Sequence, residues 1–344
     1  MLTTILRLPL SVLEIFTSQK SFKKNPVIGS RLLNALGLHV FRLLLSRASF
    51  SLRRVFLRLG VPKEHRDAFA RDGIIVVPDF VSPEDLSKIY QEIETAEGLE
   101  VRCLTEGTTN IYRVEMNGVM SPKLPTLANV LSGSLYRGLM RYVAGTRYLP
   151  PMMLERMAFS DDGQEAGIVD PQQTAHIDTF QSTMKSWLFL KDVDDDDGPF
   201  HFSFGSHAIT GKRLAWEWRR SQEARGLNDG HSEHGSFRVD PEDYEPMGIE
   251  APRPLKVKAG TLVVANTHGV HFRGAGKSGH ERLEVFAPIR VSAFVPIPTI
   301  FPQTLLNIMY SVRRKRHLKL EAKARQKDHH TLSMATSDLI VPRQ

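Results

Sequence analysis

Between residues 38 and 59 the chain keeps a helical period. At about 100° per residue, Leu38, Phe41, Leu44, Leu45, Leu52, Val55, Phe56 and Leu59 share one face, and Arg42, Arg47, Arg53, Arg54 and Arg58 share the other. Val40, Leu43, Phe50 and Leu57 fall off the stripe, which is therefore imperfect. Such a helix either lies in a membrane interface or packs on a domain with its basic face solvated. An Arg-rich, acid-poor transit peptide is a third reading. The body begins near residue 63. Its opening, FARDGIIVVPDFVSPEDL (69–86), reads as a helix end, a glycine, a short apolar strand and a new helix start. Ser82 suits the N-cap, Pro83 the first helical position, and Glu84 and Asp85 the positive helix end. That helix is expected to run to about Glu97. Residues 111–160 show no clear period. From about residue 150 short strands alternate with turn clusters at 161–163, 194–199, 228–230 and 274–279, the signature of a mainly β core with flanking helices.

Composition divides the chain further. Residues 1–66 hold twelve lysines and arginines against Glu14 and Glu64, so that stretch carries +10 and the remainder −3 within the overall +7. The basic character therefore belongs to the ends. Residues 299–310 are apolar, and SVRRKRHLKLEAKARQKDHH follows, with a second cluster at Arg313–Arg316. Three parts result: a basic amphipathic helical extension at 1–62, a domain at 63–298, and an amphipathic basic extension at 299–344 whose end is expected to be disordered. Two basic amphipathic ends around a near-neutral body suggest an anionic membrane surface as partner and a cytoplasmic, peripheral-membrane location. No apolar run reaches the ~18 residues of a spanning helix. The lone Cys103 allows neither a disulfide framework nor a zinc–thiolate cluster within the chain, so any metal site must use His, Asp or Glu. The acidic run DVDDDDG (192–198) lacks the spacing and glutamate of a calcium loop and reads as an exposed turn.

The stretch that bears on chemistry is TAHIDTF (174–180). On an extended chain residues i and i+2 point the same way, so His176 and Asp178 project together and Ile177 opposes them. An imidazole and a carboxylate side by side can supply two cis ligands. A third ligand on the same face would complete the two-histidine, one-carboxylate set of non-haem Fe(II) oxygenases. The segment AGTLVVANTHGVHFRGAGKSGHERLEVF (259–286) offers His268 and His271 after a strand at 261–265, and Arg282 at the start of another. A guanidinium inside a barrel needs a carboxylate partner, and its planar fork suits bidentate capture.

In this respect the chain resembles the phytanoyl-CoA dioxygenase family of Fe(II)- and 2-oxoglutarate-dependent oxygenases, over about Phe69 to Val291. The motifs are FARDGIIVVPDF, HID at 176–178, WLFLKDVDDDDGP at 187–199, GSH at 205–207, and a distal histidine followed by arginine eleven residues later, a spacing that His271 and Arg282 have and His268 lacks. The resemblance implies a double-stranded β-helix (jelly-roll, cupin-like), with His176, Asp178 and His271 as iron ligands. It implies Arg282 on the far carboxylate of 2-oxoglutarate, Trp187 near that cosubstrate and Gln173 as a polar lining residue. Retention of Asp178, where halogenating relatives carry a small residue, points to oxygenation. One departure is Arg273, standing where the family usually has a small hydroxyl residue; it either helps bind the anion or alters the cosubstrate site. The implied reaction hydroxylates an unactivated C–H bond of a small-molecule or lipid-like substrate with O2, releasing succinate and CO2. A non-catalytic jelly-roll binding module and a nucleic-acid-associated demethylase are the alternatives; no nucleic-acid partner is expected.

Overall fold

The computed structural model describes residues 2–160 and 170–298; the C-terminal extension expected at 299–344 lies outside the described residues. The elements are α1 (Leu2–Leu13), α2 (Arg31–Ala35), α3 (Leu38–Leu57), α4 (Lys63–Asp72), β1 (Ile74–Val77), α5 (Pro83–Thr95), β2 (Val101–Glu106), β3 (Thr109–Glu115), α6 (Pro125–Ser132), α7 (Ser134–Ala144), β4 (Met153–Phe159), β5 (Met184–Phe189), β6 (Phe200–Phe202), α8 (Gly211–Glu223), α9 (Tyr244–Met247), β7 (Arg253–Leu255), β8 (Leu262–Asn266), β9 (His271–Arg273) and β10 (Glu281–Ile289), with short 3-10 turns between several of them. Helix α5 begins as its sequence predicts: the Ser82 hydroxyl accepts from the Asp85 amide at 3.1 Å, and Pro83 opens the helix. It ends at Thr95 rather than Glu97, with Ala96 as its C-cap. The patternless stretch 111–160 contains the end of β3, then α6, α7 and β4.

Two antiparallel sheets make the jelly roll. The larger has the order β1-β8-β5-β10-β4-β3-β2 and the smaller β7-β6-β9. Alternation along each strand assigns its side chains to one of two compartments. On β8, Leu262 and Val264 enter the core beneath helices α5, α6 and α7, while Val263 and Ala265 face the space between the sheets. On β5, Met184 and Leu188 go outward to the helices, and Trp187 and Phe189 go inward. On β10, Leu283 and Val285 go outward, which leaves Arg282, Glu284 and Phe286 on the inner face. The strand carrying the expected distal arginine therefore aims it between the sheets, where a site can be shielded from water.

A third apolar cluster closes the back of the HID segment. Phe22 and Ile28 pack there with Ile177, Trp216, Phe237 and Val270, so residues of the expected N-terminal extension share a core with the candidate ligand segment. Helix α3 departs from the expectation of a helix packed on the domain with a solvated basic face: Arg47 and Arg58 are exposed, but Arg42 and Arg53 turn inward while much of the apolar stripe turns outward. Its buried residues are His39, Arg42, Leu43, Ser46, Ser49, Phe50 and Arg53, whereas Phe41, Leu44, Leu52, Val55 and Phe56 are exposed. The cause is demand for donors from irregular chain. Arg42 donates to the carbonyls of Ile15 at 2.8 Å, Thr17 at 3.1 Å and Gln19 at 2.5 Å, and lies 4.3 Å from the centre of the Phe180 ring. Arg53 donates to the carbonyls of Ser292, at 2.7 Å, and Val295. Buried carbonyls outside regular structure must find partners, and one guanidinium with five donors serves several. Helix α3 is further tied down by a buried triad in which Glu217 accepts from Arg213 at 3.0 Å and meets His39 Nε2 at 2.8 Å.

Candidate metal and cosubstrate site

His176 sits in an extended segment outside the named strands, bridged to both His271 and Arg238. His176 and His271 exchange two backbone hydrogen bonds of 3.0 Å each, which sets their rings side by side with centroids 4.4 Å apart. The segment alternates as expected: Ile177 is buried behind, and its amide donates to Phe237. Each imidazole is oriented by a carbonyl near in sequence. His176 Nδ1 donates to Thr174 O at 2.7 Å and His271 Nδ1 donates to Gly269 O at 2.9 Å. A carbonyl can only accept, so Nδ1 carries the proton in both rings and each Nε2 presents a lone pair. Those two Nε2 atoms each lie 3.7 Å from Asp178 Oδ1, and the three donors lie within 4.8 Å of one another, a set able to hold one metal ion.

The electrostatics suit a cation. Burial first, then the neighbouring His271, holds His176 well below its usual value, and burial brings His271 down to about 4. Both rings are therefore neutral ligands at neutral pH. Burial alone would raise the Asp178 carboxyl, but the Lys185 ammonium above all outweighs it and holds the group well below the carboxylate range. Lys185, from the inner face of β5, places its Nζ 2.9 Å from Asp178 Oδ2 and 3.5 Å from His271 Nε2. An ammonium thus stands against the carboxylate that a metal would share. From the other side Lys20 donates to the Asp178 carbonyl at 2.7 Å, so the N-terminal segment reaches the site.

A cavity of about 240 Å³ opens beside the triad, lined among others by His176, His271, Lys185, Trp187, Arg113, Glu155, Met157, Arg273 and Arg282. Arg282 is buried; its Nε lies 2.8 Å from Glu284, and it also donates to the Gly198 carbonyl. Gly198 has a φ of +62°, and a Cβ there would come within 2.6 Å of the Phe159 ring, so glycine is required for that carbonyl to be presented. Arg273 pairs with Asp170 at 2.6 Å, and its Nε has no hydrogen-bond partner among the described residues. Both guanidiniums converge on the Met157 sulfur, at 3.1 Å from Arg282 and 3.7 Å from Arg273. A thioether is a weak acceptor for two cations; a carboxylate there would satisfy them far better, which fits the cavity to a dicarboxylate. Opposing this, Glu155 and Glu284 face each other across β4 and β10. Burial, then Glu284, pushes Glu155 up to about 7 even though Arg113 pairs with it, and burial also raises Glu284.

The structure gathers His176, Asp178, His271, Arg282, Arg273 and Trp187 around this space, with Trp187 packed 4.2 Å from Phe200 between ring centres. Gln173 belongs to the 3-10 turn Pro171–Gln173, and the glutamine that lines the cavity is its neighbour Gln172. His268 is buried elsewhere, its Nδ1 on Thr179 O at 2.8 Å. Lys185, Arg113, Glu155 and Glu284 were missed at the level of sequence. Two were within reach of alternation, since Lys185 is two residues from Trp187 and Glu284 two from Arg282.

Two neutral imidazoles and a carboxylate converging beside an arginine-walled cavity, all inside a double-stranded β-helix, define the class of non-haem Fe(II) oxygenases. Sequence comparison narrows the class: residues 69–283 match the phytanoyl-CoA dioxygenase (PhyH) family model, and the chain belongs to that family. It is a 2-oxoglutarate-dependent oxygenase working with Fe(II), 2-oxoglutarate and O2. Among curated proteins none matches the chain. Solved structures of similar fold include the epimerase SnoN in complex with Fe3+, alpha-ketoglutarate and nogalamycin RO, at 16% identity over 66% of this chain and 82% of that one, TM-score 0.43. HygX from Streptomyces hygroscopicus with nickel and 2-oxoglutarate bound is 16% identical over 70% of this chain and 89% of that one, TM-score 0.44. EctD from S. alaskensis with bound Fe is 16% identical over 67% and 76%, TM-score 0.43.

Proposed function

We propose that this oxygenase hydroxylates an unactivated C–H bond of a small-molecule or lipid-like substrate, releasing succinate and CO2. In this reading His176, Asp178 and His271 hold Fe(II), and Arg282 and Arg273 take the far carboxylate of 2-oxoglutarate. The single observation that carries it is the triad, two Nε2 lone pairs and a carboxylate oxygen turned toward one point beside two guanidiniums that share a sulfur. When bound, the iron and its cosubstrate supply the oxidising power that cleaves the C–H bond.

The chain's own residues supply binding, orientation and exclusion of water. The Thr174 and Gly269 carbonyls fix the ligand tautomers, so no proton has to leave before metal binds. Asp178 is already ionised, held so by Lys185. Trp187, Phe200 and Phe286 form an apolar wall beside the triad, which lowers the local dielectric and strengthens the grip of Arg282 on a carboxylate. Glu155, near its titration point at neutral pH, donates a hydrogen bond to an incoming carboxylate when protonated and repels it when ionised. Lys185, once released from Asp178, is a free ammonium at the mouth of the ligand set and can hold an anionic oxygen.

The test is conversion of 2-oxoglutarate to succinate by the metal-reconstituted protein across a panel of small-molecule and lipid substrates. Wild type should release succinate, more so with the right substrate, and His176→Ala should release none. Equal turnover in His176→Ala would remove the triad from the reaction.

A further inference from the structure

The basic side of α3 leaves a second feature, whose lining shares no residue with the cavity beside the metal triad. Arg47, Arg54 and Arg58 from α3 and its C-terminal turn meet Lys63 and Arg66 of α4 around a cleft of about 440 Å³, whose one acidic lining residue, Asp67, is already paired with Lys63 at 2.5 Å. Among the described residues, none of the four arginines has a carboxylate partner. Arg47 reaches only the His207 carbonyl at 3.4 Å, and Arg54 donates to Ser182 Oγ at 2.7 Å and Val143 O at 3.3 Å. Nε of Arg54 and Nε of Arg66 are buried with no hydrogen-bond partner among the described residues. Four guanidiniums gathered around one acid that Lys63 already holds repel one another, and the deficit is that of an anion.

The rim of the cleft is apolar. Val55 lines it and belongs to the outward strip of Phe41, Leu44, Leu52, Val55, Phe56 and Leu59. Phe56 is 54% and Leu59 92% exposed. From Phe41 to Val55 the strip runs about 21 Å at ~1.5 Å per residue, too long for a small ligand and bare of acids: residues 1–62 contain only Glu14. A strip of large apolar side chains beside arginines with no carboxylate partner among the described residues matches an interface that is greasy and negative together. A second copy of the chain would bring the same arginines face to face, which charge disfavours.

We propose that the cleft between α3 and α4 takes the phosphate headgroup of an anionic phospholipid, with the outward apolar strip of α3 seated in the bilayer surface. Insertion is interfacial only: no described helix is long and apolar enough to cross a membrane. The surface is separate from the triad, so its failure would leave the oxygenase assignment standing.

The test is flotation of the full chain with phosphatidylcholine vesicles, with and without phosphatidylglycerol. Wild type should bind the anionic vesicles and be released by salt. Arg58→Glu with Arg66→Glu should weaken binding by more than about tenfold. Phe56→Ser with Leu59→Ser should weaken it at both low and high salt. Both pairs should keep wild-type melting and succinate formation, since neither touches the triad. Binding that survives the double charge reversal overturns the proposal, because the charge then lies elsewhere, as in Arg313–Arg316. If inorganic phosphate stabilises the wild type but not the charge-reversed protein while vesicles fail to bind, the cleft is a free-phosphate site and the lipid assignment falls. A concentration-dependent dimer abolished by Phe56→Ser with Leu59→Ser, without vesicle binding, would make the strip a self-interface instead.

Discussion

Replacing Lys185 by methionine keeps the aliphatic bulk and removes the charge that stands against Asp178. The ammonium lies 2.9 Å from Oδ2 and 3.1 Å from Oδ1, and the two side chains are only 22% and 23% exposed. At that separation and an effective dielectric of ~20 the attraction is on the order of 5 kcal/mol, before the cost of desolvating both ions. Stranding one partner of a fully buried pair costs about 3–5 kcal/mol, and of an exposed one about 0–1 kcal/mol. A pair this sheltered belongs between, at about 2–3 kcal/mol. The metal-free variant should therefore melt lower by roughly 5–10 °C, at ~2–4 °C per kcal/mol for a chain of this class. Metal binding moves the opposite way. A divalent ion must take Asp178 from the ammonium, so wild-type affinity carries the cost of breaking the pair, and Lys185→Met should bind Mn(II) about 30-fold more tightly, ~2 kcal/mol at 1.4 kcal/mol per tenfold. Titration calorimetry with Mn(II), which avoids oxidation, and melting with chelator or metal give both quantities. The gap should close on metal binding, the variant being less stable than wild type with chelator and comparable to it with Mn(II). Unchanged Mn(II) affinity would refute the reasoning, because the ammonium would then not be competing for the carboxylate.

Two further outcomes follow from buried acids. Glu155 carries a folded value of about 7 against 4.5 unfolded, so its neutral form predominates below about pH 7 and its anionic form above; the KM for 2-oxoglutarate should rise with pH through 7, and Glu155→Gln should flatten that rise while leaving the acid side near wild type. Glu217 lies the other way: burial raises it, but Arg213 and His39 outweigh burial and bring it to about 2 against 4.5 unfolded, so its contribution is complete above about pH 4.5 and is lost as pH falls toward 2, and at pH 7 Glu217→Ala, which strands buried Arg213, should cost about 3–5 kcal/mol in chemical denaturation. A Glu217→Ala protein as stable as wild type would show that α3 is held to α8 by something other than this triad.

How much of this was legible in the chain turns on where each side chain finds its partner. The HID pair, the distal His271 and Arg282 could be named because their order and spacing are local facts, and alternation alone places His176 and Asp178 on one side with Ile177 behind. Lys185 and Glu284 obey the same alternation, yet a charged residue in a strand reads as solvent-facing. Only the second sheet, built from Phe200–Phe202, Arg253–Leu255 and His271–Arg273, turns that face inward. Gln172 replaces Gln173 at the cavity for a comparable reason, since the 3-10 turn at 171–173 rotates successive side chains in a way an extended reading does not anticipate. The orientation of α3 is the fullest case. Its stripe was correctly located, but its inward side is decided by carbonyls 23 to 27 residues before Arg42 and 239 to 242 residues after Arg53. A hydrophobic period says that a helix has two faces; it does not say which is buried when distant coil offers a guanidinium more hydrogen bonds than water-excluded packing offers a leucine. That same exchange, polar groups inward and apolar groups outward, is what leaves Phe41, Leu44, Leu52, Val55, Phe56 and Leu59 exposed beside four arginines that have no carboxylate partner among the described residues, so the feature hardest to read from the chain is also the one that gives it a second surface to use.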